Sequence, residues 1–199
     1  MIIVDTETTG IDSQKASLLS IGAIDFSQPE KQFYGECNIW EAAEIHQAAL
    51  DVNGFSQEEI TNKTKQTQKQ LIEAFILWMQ NCEEQTLAGE NPSFDRDFIA
   101  ATAKREGAEW TSIYRTIDLH SLAYVHMLKR GVLQSKNKRT AIKLDTILIY
   151  VGLPEEPKPH NALTGAKMET EAFARLIYGK NILKEFENYP LPNYLKKED

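Results

Sequence analysis

Asp5 and Glu7 are alternate residues at the end of a short apolar run, Ile2-Ile3-Val4, so a strand there points both carboxylates to one face. Thr8, Thr9 and Gly10 follow, a turn in which backbone can approach a ligand closely. Two acids pushed together repel, and desolvation raises the cost, unless cations sit between them. The pair is therefore a candidate metal site, although acids at a strand end are also common as plain surface residues. Two further segments bear on that choice. Gly89-Glu90-Asn91-Pro92-Ser93-Phe94-Asp95 leads from a short strand into a helix, with Asp95 in its first turn. Ser93 and Asp95 also suit simple helix capping. Pro159-His160-Asn161-Ala162-Leu163 opens another helix, and a lone histidine at a helix start more often has a structural part. The ordered set of three is what informs.

Asp5-Thr6-Glu7-Thr8-Thr9-Gly10 resembles the first motif of the DEDDh (DnaQ-like) 3′–5′ exonucleases at every position. Asn91 through Asp95 resembles their second motif, with Asp95 at the acidic position, and His160-Asn161-Ala162-Leu163 resembles the start of their third. Ala49 through Ile60 is similar to a segment those enzymes carry between the first two motifs. The resemblance implies a ribonuclease H-like fold and hydrolysis of nucleoside monophosphates from the 3′ end of single-stranded DNA or RNA. It further implies two Mg²⁺ or Mn²⁺ ions about 4 Å apart clamping the scissile phosphate. In that scheme Asp5 bridges both ions, Glu7 holds the one on the nucleophile side, and Asp95 supports the other. His160 is the general base, since a near-neutral pKa suits proton removal from the attacking water. Thr8, Thr9, Gly10 and Ile11, with Asn91 and Phe94, grip the terminal nucleotide. A polymerase partner or self-association is compatible with the resemblance; the 2′-OH preference is not legible.

One position departs. The family's third motif runs His, four residues, then Asp, and counting from His160 ends on Gly165, which has no side chain to offer a metal. Glu169 lies four residues on, on the same helix face, and Glu is longer than Asp, so it is the candidate fourth metal-binding carboxylate beside Asp5, Glu7 and Asp95. Glu171 falls nearly on the opposite face. The alternatives are slow catalysis with an incompletely held ion, or a catalytically dead module that binds nucleic-acid ends or a partner protein. Asp5, Glu7, Asp95 and His160 standing together favour activity, because a dead site has no chemical reason to keep all four.

The elements that must position these residues read as α/β. Ile2 to Thr6, Leu18 to Phe26 and Gln32 to Ile39 read as strands joined by hairpin-length turns, hence an antiparallel start. The period then changes: Thr67 to Cys82 is helical, Thr86 to Ala88 a short strand, and Ser93 to Arg105 a helix ended by Gly107. Further helices are expected at Asp118 to Lys129, Lys143 to Val151 and Ala162 to Tyr178, giving a mixed sheet, antiparallel in its first three strands and then parallel, flanked by helices. Trp78 and Phe98 read as core, and Asp118 and Asp145 as helix caps rather than ligands. Residues 1–180 form the expected exonuclease domain and 181–199 a C-terminal tail, with Asn188 to Asp199 trailing over the surface.

Composition sets outer bounds. The net charge of −7 argues against a sequence-independent nucleic-acid coat, whose affinity comes from Lys and Arg on phosphates, yet carboxylates gathered around cations can leave a nuclease acidic. Leu119 to Leu144 holds no acid but Lys129, Arg130, Lys136, Lys138, Arg139 and Lys143, around a loop expected at Gly131 to Thr140. This is either a phosphate-tracking patch or a solvated helix end. Cys37 and Cys82 form no CxxC pair and read as reduced thiols of a cytoplasmic protein. Ile2-Ile3-Val4 is too short and lacks the basic flank for a secretion signal, and no window approaches a membrane span.

Overall fold

The computed structural model describes residues 1–111 and 113–196. Its centre is β1 (Ile2–Thr8), which pairs antiparallel with β2 (Leu18–Asp25) on one side and parallel with β4 (Leu87–Gly89) on the other. Strand β3 (Gln32–Glu36) extends the antiparallel edge and β5 (Thr116–Asp118) the parallel one, in the order β3-β2-β1-β4-β5. The expected antiparallel-then-parallel sheet is therefore present, with β3 ending at Glu36 instead of Ile39.

Strand period 2 assigns the residues of β1 to two layers. Ile2 and Val4 pack with Leu71 and Phe75 of α3 (Gln68–Met79) and with Phe98 and Ile99 of α4 (Ser93–Glu106). Ile3 faces the other way, into a core with Leu119 and Met127 of α5 (Leu119–Lys129), Ile147 of α6 (Leu144–Tyr150) and Phe173 of α7 (Ala162–Tyr178). By the same alternation Asp5 and Glu7 point to the α7 side and Thr6 to the α4 side. Near its end β1 skips a residue of its partner, Glu7 pairing Ser20 and Thr8 pairing Leu18. The bulged Leu19 turns into a small third core with Leu50 of α1 (Gln47–Asn53) and Ile60 of α2 (Gln57–Thr61).

Helix α7 approaches the sheet more closely than any side chain would allow. A Cβ on Gly22, the residue paired with Asp5, would run into the Ala162 and Leu163 backbone, so the glycine seats the start of α7 directly beside Asp5. Asn161 caps that helix, its side-chain carbonyl oxygen accepting from the Leu163 and Thr164 amides at 3.1 and 3.2 Å.

One expectation is corrected and another refined. The Gly131 to Thr140 segment is not all loop: β6 (Ser135–Lys136) and β7 (Arg139–Thr140) form a fully exposed two-residue-turn hairpin. The described end of the chain runs over the surface, most of 188–196 being exposed, but it is anchored and not free of the domain. Leu183, Phe186 and Leu195 are buried in the α7 core, and Arg175, buried and paired with Glu171 at 3.0 Å, donates to the carbonyls of Val151, Gly152, Phe186 and Tyr189. Glu171 in turn accepts from the Ile182 and Leu183 amides at 3.0 and 3.1 Å. This buried pair draws 181–196 onto the domain; residues 197–199 of the expected tail lie outside the described residues.

Candidate active site

The carboxyl end of β1 carries the chemistry. Parallel β1 and β4 end on the same side of the sheet, where open α/β sheets bind ligands. Asp5, Glu7, Glu90, Asp145, Glu156 and Glu169 line one pocket there, with Lys143 and His160 the cationic or titratable nitrogens among its walls. Asp95 enters from α4 beneath them, its carboxylate accepting from the Thr6 hydroxyl at 2.8 Å. The simple capping expectation for Ser93 and Asp95 is not what forms: Pro92 is the N-cap of α4, the Ser93 hydroxyl donates to Asn91, and Asp95 is buried.

Asp5, Glu7, Glu90, Asp95, Glu156 and Glu169 all have their pKa pushed up, first by desolvation. Asp5 rises to about 7, against the opposing Thr6 amide and with Glu90 adding to the rise. Glu7 rises to about 8 through burial and then the charges of Asp5, Glu156 and Asp95. Glu156 also rises to about 8, through burial, Asp5 and Asp145. Asp95 and Glu169 are raised well above the ordinary carboxylate range by burial and then by Asp5. Two oxygens here, Glu156 Oε1 and Glu169 Oε2, are buried without a hydrogen-bond partner among the described residues. A buried polar atom left unpaired costs about 1–3 kcal/mol, more when charged. Acidic, desolvated, with bare oxygens: the donor set fits hard divalent cations. Among the described residues no three His, Cys, Asp or Glu side chains stand close enough together to hold a metal ion as they are placed.

His160 lies at the pocket wall, 30% exposed, with Nδ1 3.3 Å from Glu156 Oε2. Its pKa is lowered by desolvation, opposed by Asp145. That direction favours the neutral imidazole, the form a proton acceptor needs. Its backbone amide donates to Val52 at 3.0 Å, which fixes the histidine loop to α1.

A second pocket adjoins the first. Thr6, Glu7, Thr8, Gly10, Ile11, His46, Ala48, Ala49, Val52, Asn53 and Phe94 line it, with Ile11 87% exposed over its mouth. The structure brings Thr8, Gly10, Ile11 and Phe94 together here, but not all of the expected nucleotide grip. Thr9 is fully buried, its hydroxyl donating to Glu44 at 2.6 Å and accepting from Ser17 at 2.8 Å, so it braces the turn from below. Asn91 stands apart with φ 56°, its amide on Asp118 at 3.2 Å. Asp118 caps α5 as expected, whereas Asp145 lies within the first turn of α6 and accepts the Glu156 amide at 3.1 Å. The basic hairpin runs up to Lys143 at the pocket wall, along a groove lined by Lys136, Arg139 and Lys143.

Sequence reading missed Glu156, Glu90 and the α1 wall of the second pocket. Glu156 sits in an irregular, proline-flanked stretch where no period applies; its one signal is the spacing of four residues before His160.

A mixed sheet with acids at the end of its central strand, a histidine at the facing helix start and a second pocket beside them is the arrangement of a nuclease hydrolase of the DEDDh type with a ribonuclease H-like fold, the class in which the family match places this chain. The chain belongs to the exonuclease family, whose model matches residues 2–173. Among curated relatives it is 26% identical to a ribonuclease T from Marinobacter nauticus, over 96% of this chain and 86% of that one. It is 25% identical to a PolC-type DNA polymerase III from Thermotoga petrophila, over 94% of this chain but only 13% of the polymerase. Among solved structures, E. coli exonuclease I in complex with a dA16 oligonucleotide superposes with a TM-score of 0.70 at 16% identity, covering 89% of this chain and 40% of that one. Cell-death related nuclease 4 superposes at 0.68 and 18% identity, covering 90% and 64%. Cys37 and Cys82 are free and buried, and no helix among the described residues is long and apolar enough to cross a membrane.

Proposed function

We propose that this chain removes nucleoside monophosphates from the 3′ end of single-stranded nucleic acid by metal-dependent hydrolysis. The observation that carries the reading is the desolvated acid cluster at the end of β1, with two bare carboxylate oxygens, beside a second pocket walled by Ile11, Val52 and Phe94. Asp5, Glu7, Asp95 and Glu169 are the residues that hold two divalent cations, Mg²⁺ or Mn²⁺. Cations bound there neutralise the carboxylates and stabilise the charge that develops on the phosphoryl oxygens. His160 accepts the proton of the attacking water. Val52, Phe94 and Ile11 sandwich the terminal base, and the backbone of Thr8 to Ile11 blocks the chain end. Lys143 and the exposed hairpin meet the phosphates upstream. Relatives that are ribonuclease T, and an exonuclease I solved with single-stranded DNA, support the substrate class. A polymerase partner rests only on the segment's match within PolC-type polymerases, and self-association on the sequence alone.

Gly165 supports a second reading, a domain that binds 3′ ends or a partner protein without cutting. One experiment decides between them: incubation of a 5′-labelled single-stranded oligonucleotide, as DNA and as RNA, with Mn²⁺, Mg²⁺ or EDTA. A ladder shortening from the 3′ end with metal and absent in EDTA is the expected result. Retained binding with no cleavage under either metal would replace the enzyme with the binding module.

A further inference from the structure

We infer that Glu156, a residue of the loop between α6 and α7, supplies the third-motif carboxylate that Gly165 lacks. The glycine and the glutamate are complementary in space. A Cβ built on Gly165 would overlap Asp5 Oδ2 and stand 3.2 Å from Glu156 Oε1. The space beside Gly165, where a family Asp would begin, is thus taken up by the Asp5 carboxylate itself, with the Glu156 carboxylate from the preceding loop at its edge. The Glu156 side chain is 6% exposed, and Oε1 has no hydrogen-bond partner among the described residues. Its other oxygen lies 3.3 Å from His160 Nδ1, its amide donates to Asp145 at 3.1 Å, and its free oxygen shares the space beside Gly165 with the Asp5 carboxylate.

Glu169 has a different address. It is 4% exposed, and its free Oε2 lies 3.0 Å from the Cβ position of Gly89, at the end of β4. Glu156 thus stands beside Asp5 at Gly165, where the third-motif carboxylate is missing, and Glu169 stands at the end of β4, by Gly89. A ligand has moved from the helix to the loop preceding it, with the glycine opening the room. The same relocation leaves the carboxylate 3.3 Å from the imidazole of His160.

This inference rests on the proposed metal-binding reading, and its test does not depend on cleavage. Mn²⁺ binding is measured by isothermal titration for the wild-type chain, Glu156→Gln and Glu156→Asp. Wild type is expected to take up two ions. Glu156→Gln, nearly isosteric and uncharged, is expected to weaken one of them roughly tenfold or more, whereas Glu156→Asp, which keeps a carboxylate on the loop, is expected to retain most of the affinity. Melting in EDTA no lower than wild type separates lost ligation from lost folding. Two sites of unchanged affinity in Glu156→Gln overturn the assignment. A wild-type chain that binds Mn²⁺ through Glu156 yet cleaves no oligonucleotide refutes the exonuclease and leaves the ligand in place.

Discussion

Asp5 is the residue on which the site turns. It lies opposite Gly22 in the sheet, overlaps the space above Gly165, and appears among the charges that raise Glu7, Asp95, Glu156 and Glu169. Burial raises its own pKa to about 7, so without a cation beside it the charged form is disfavoured. A carboxylate so placed harms the fold and serves only what binds it. Replacing it by Asn removes the charge and keeps the shape. In EDTA the Asp5→Asn chain should melt above wild type, while cleavage with Mn²⁺ should fall by roughly a hundredfold or more. The two readouts pull in opposite directions, and that opposition is the signature of a functional group; an Asn variant that cuts at full rate would falsify the mechanism.

At the scale of elements, position comes from close contact rather than from regular pattern. Gly22 lets the Ala162 backbone touch β2, which sets His160 and Gly165 against Asp5. In Gly22→Ala the new methyl meets backbone atoms that cannot rotate away, so α7 must lift. Overpacking of this kind costs about 1–3 kcal/mol, and a shift near 1 Å at the site about a hundredfold in rate. Denaturant unfolding together with the oligonucleotide assay checks both; intact activity in this variant would show that α7 does not position the histidine. The same distinction explains what could be read from the sequence. Strand β1, helices α3, α4, α5 and α7 and the three motifs follow from apolar period and capping residues such as Thr67, Asp118 and Asn161. Helices α1 and α2, 7 and 5 residues long, bury little more than Leu50 and Ile60 and take their stability from the core they join. Strand β5 is 3 residues long and the β6–β7 hairpin is polar and exposed, so neither carries a hydrophobic signal. Glu156 belongs to the same class: its place is fixed by tertiary contacts with Asp145, His160 and Gly165, none of which leaves a local period.

For the whole molecule, the raised carboxyls make stability depend on pH and metal together. Asp5 moves from 3.8 to about 7, and Glu7 and Glu156 from 4.5 to about 8. Between those limits the folded chain binds more protons than the unfolded one. Stability then decreases as pH rises, the contribution being complete below the unfolded values and lost through the folded ones. Asp25, held low by Ser27 and Lys31 against its own burial, and Glu36, held low by Lys65 and Tyr34, act in the opposite sense and weaken the fold only under strong acid. Metal-free protein should therefore be most stable in mild acid and lose melting temperature steadily from about pH 5 to about pH 8. Divalent cations bind the ionised form and not the unfolded chain, so they should raise the melting temperature most at the alkaline end and flatten the profile. Thermal melts from about pH 4.5 to about pH 8.5 in EDTA and in Mn²⁺ test this. A flat profile in EDTA would mean that the acids are solvated and the site is open. A profile that falls in EDTA and stays level in Mn²⁺ ties the instability of the acid cluster to the ions it holds.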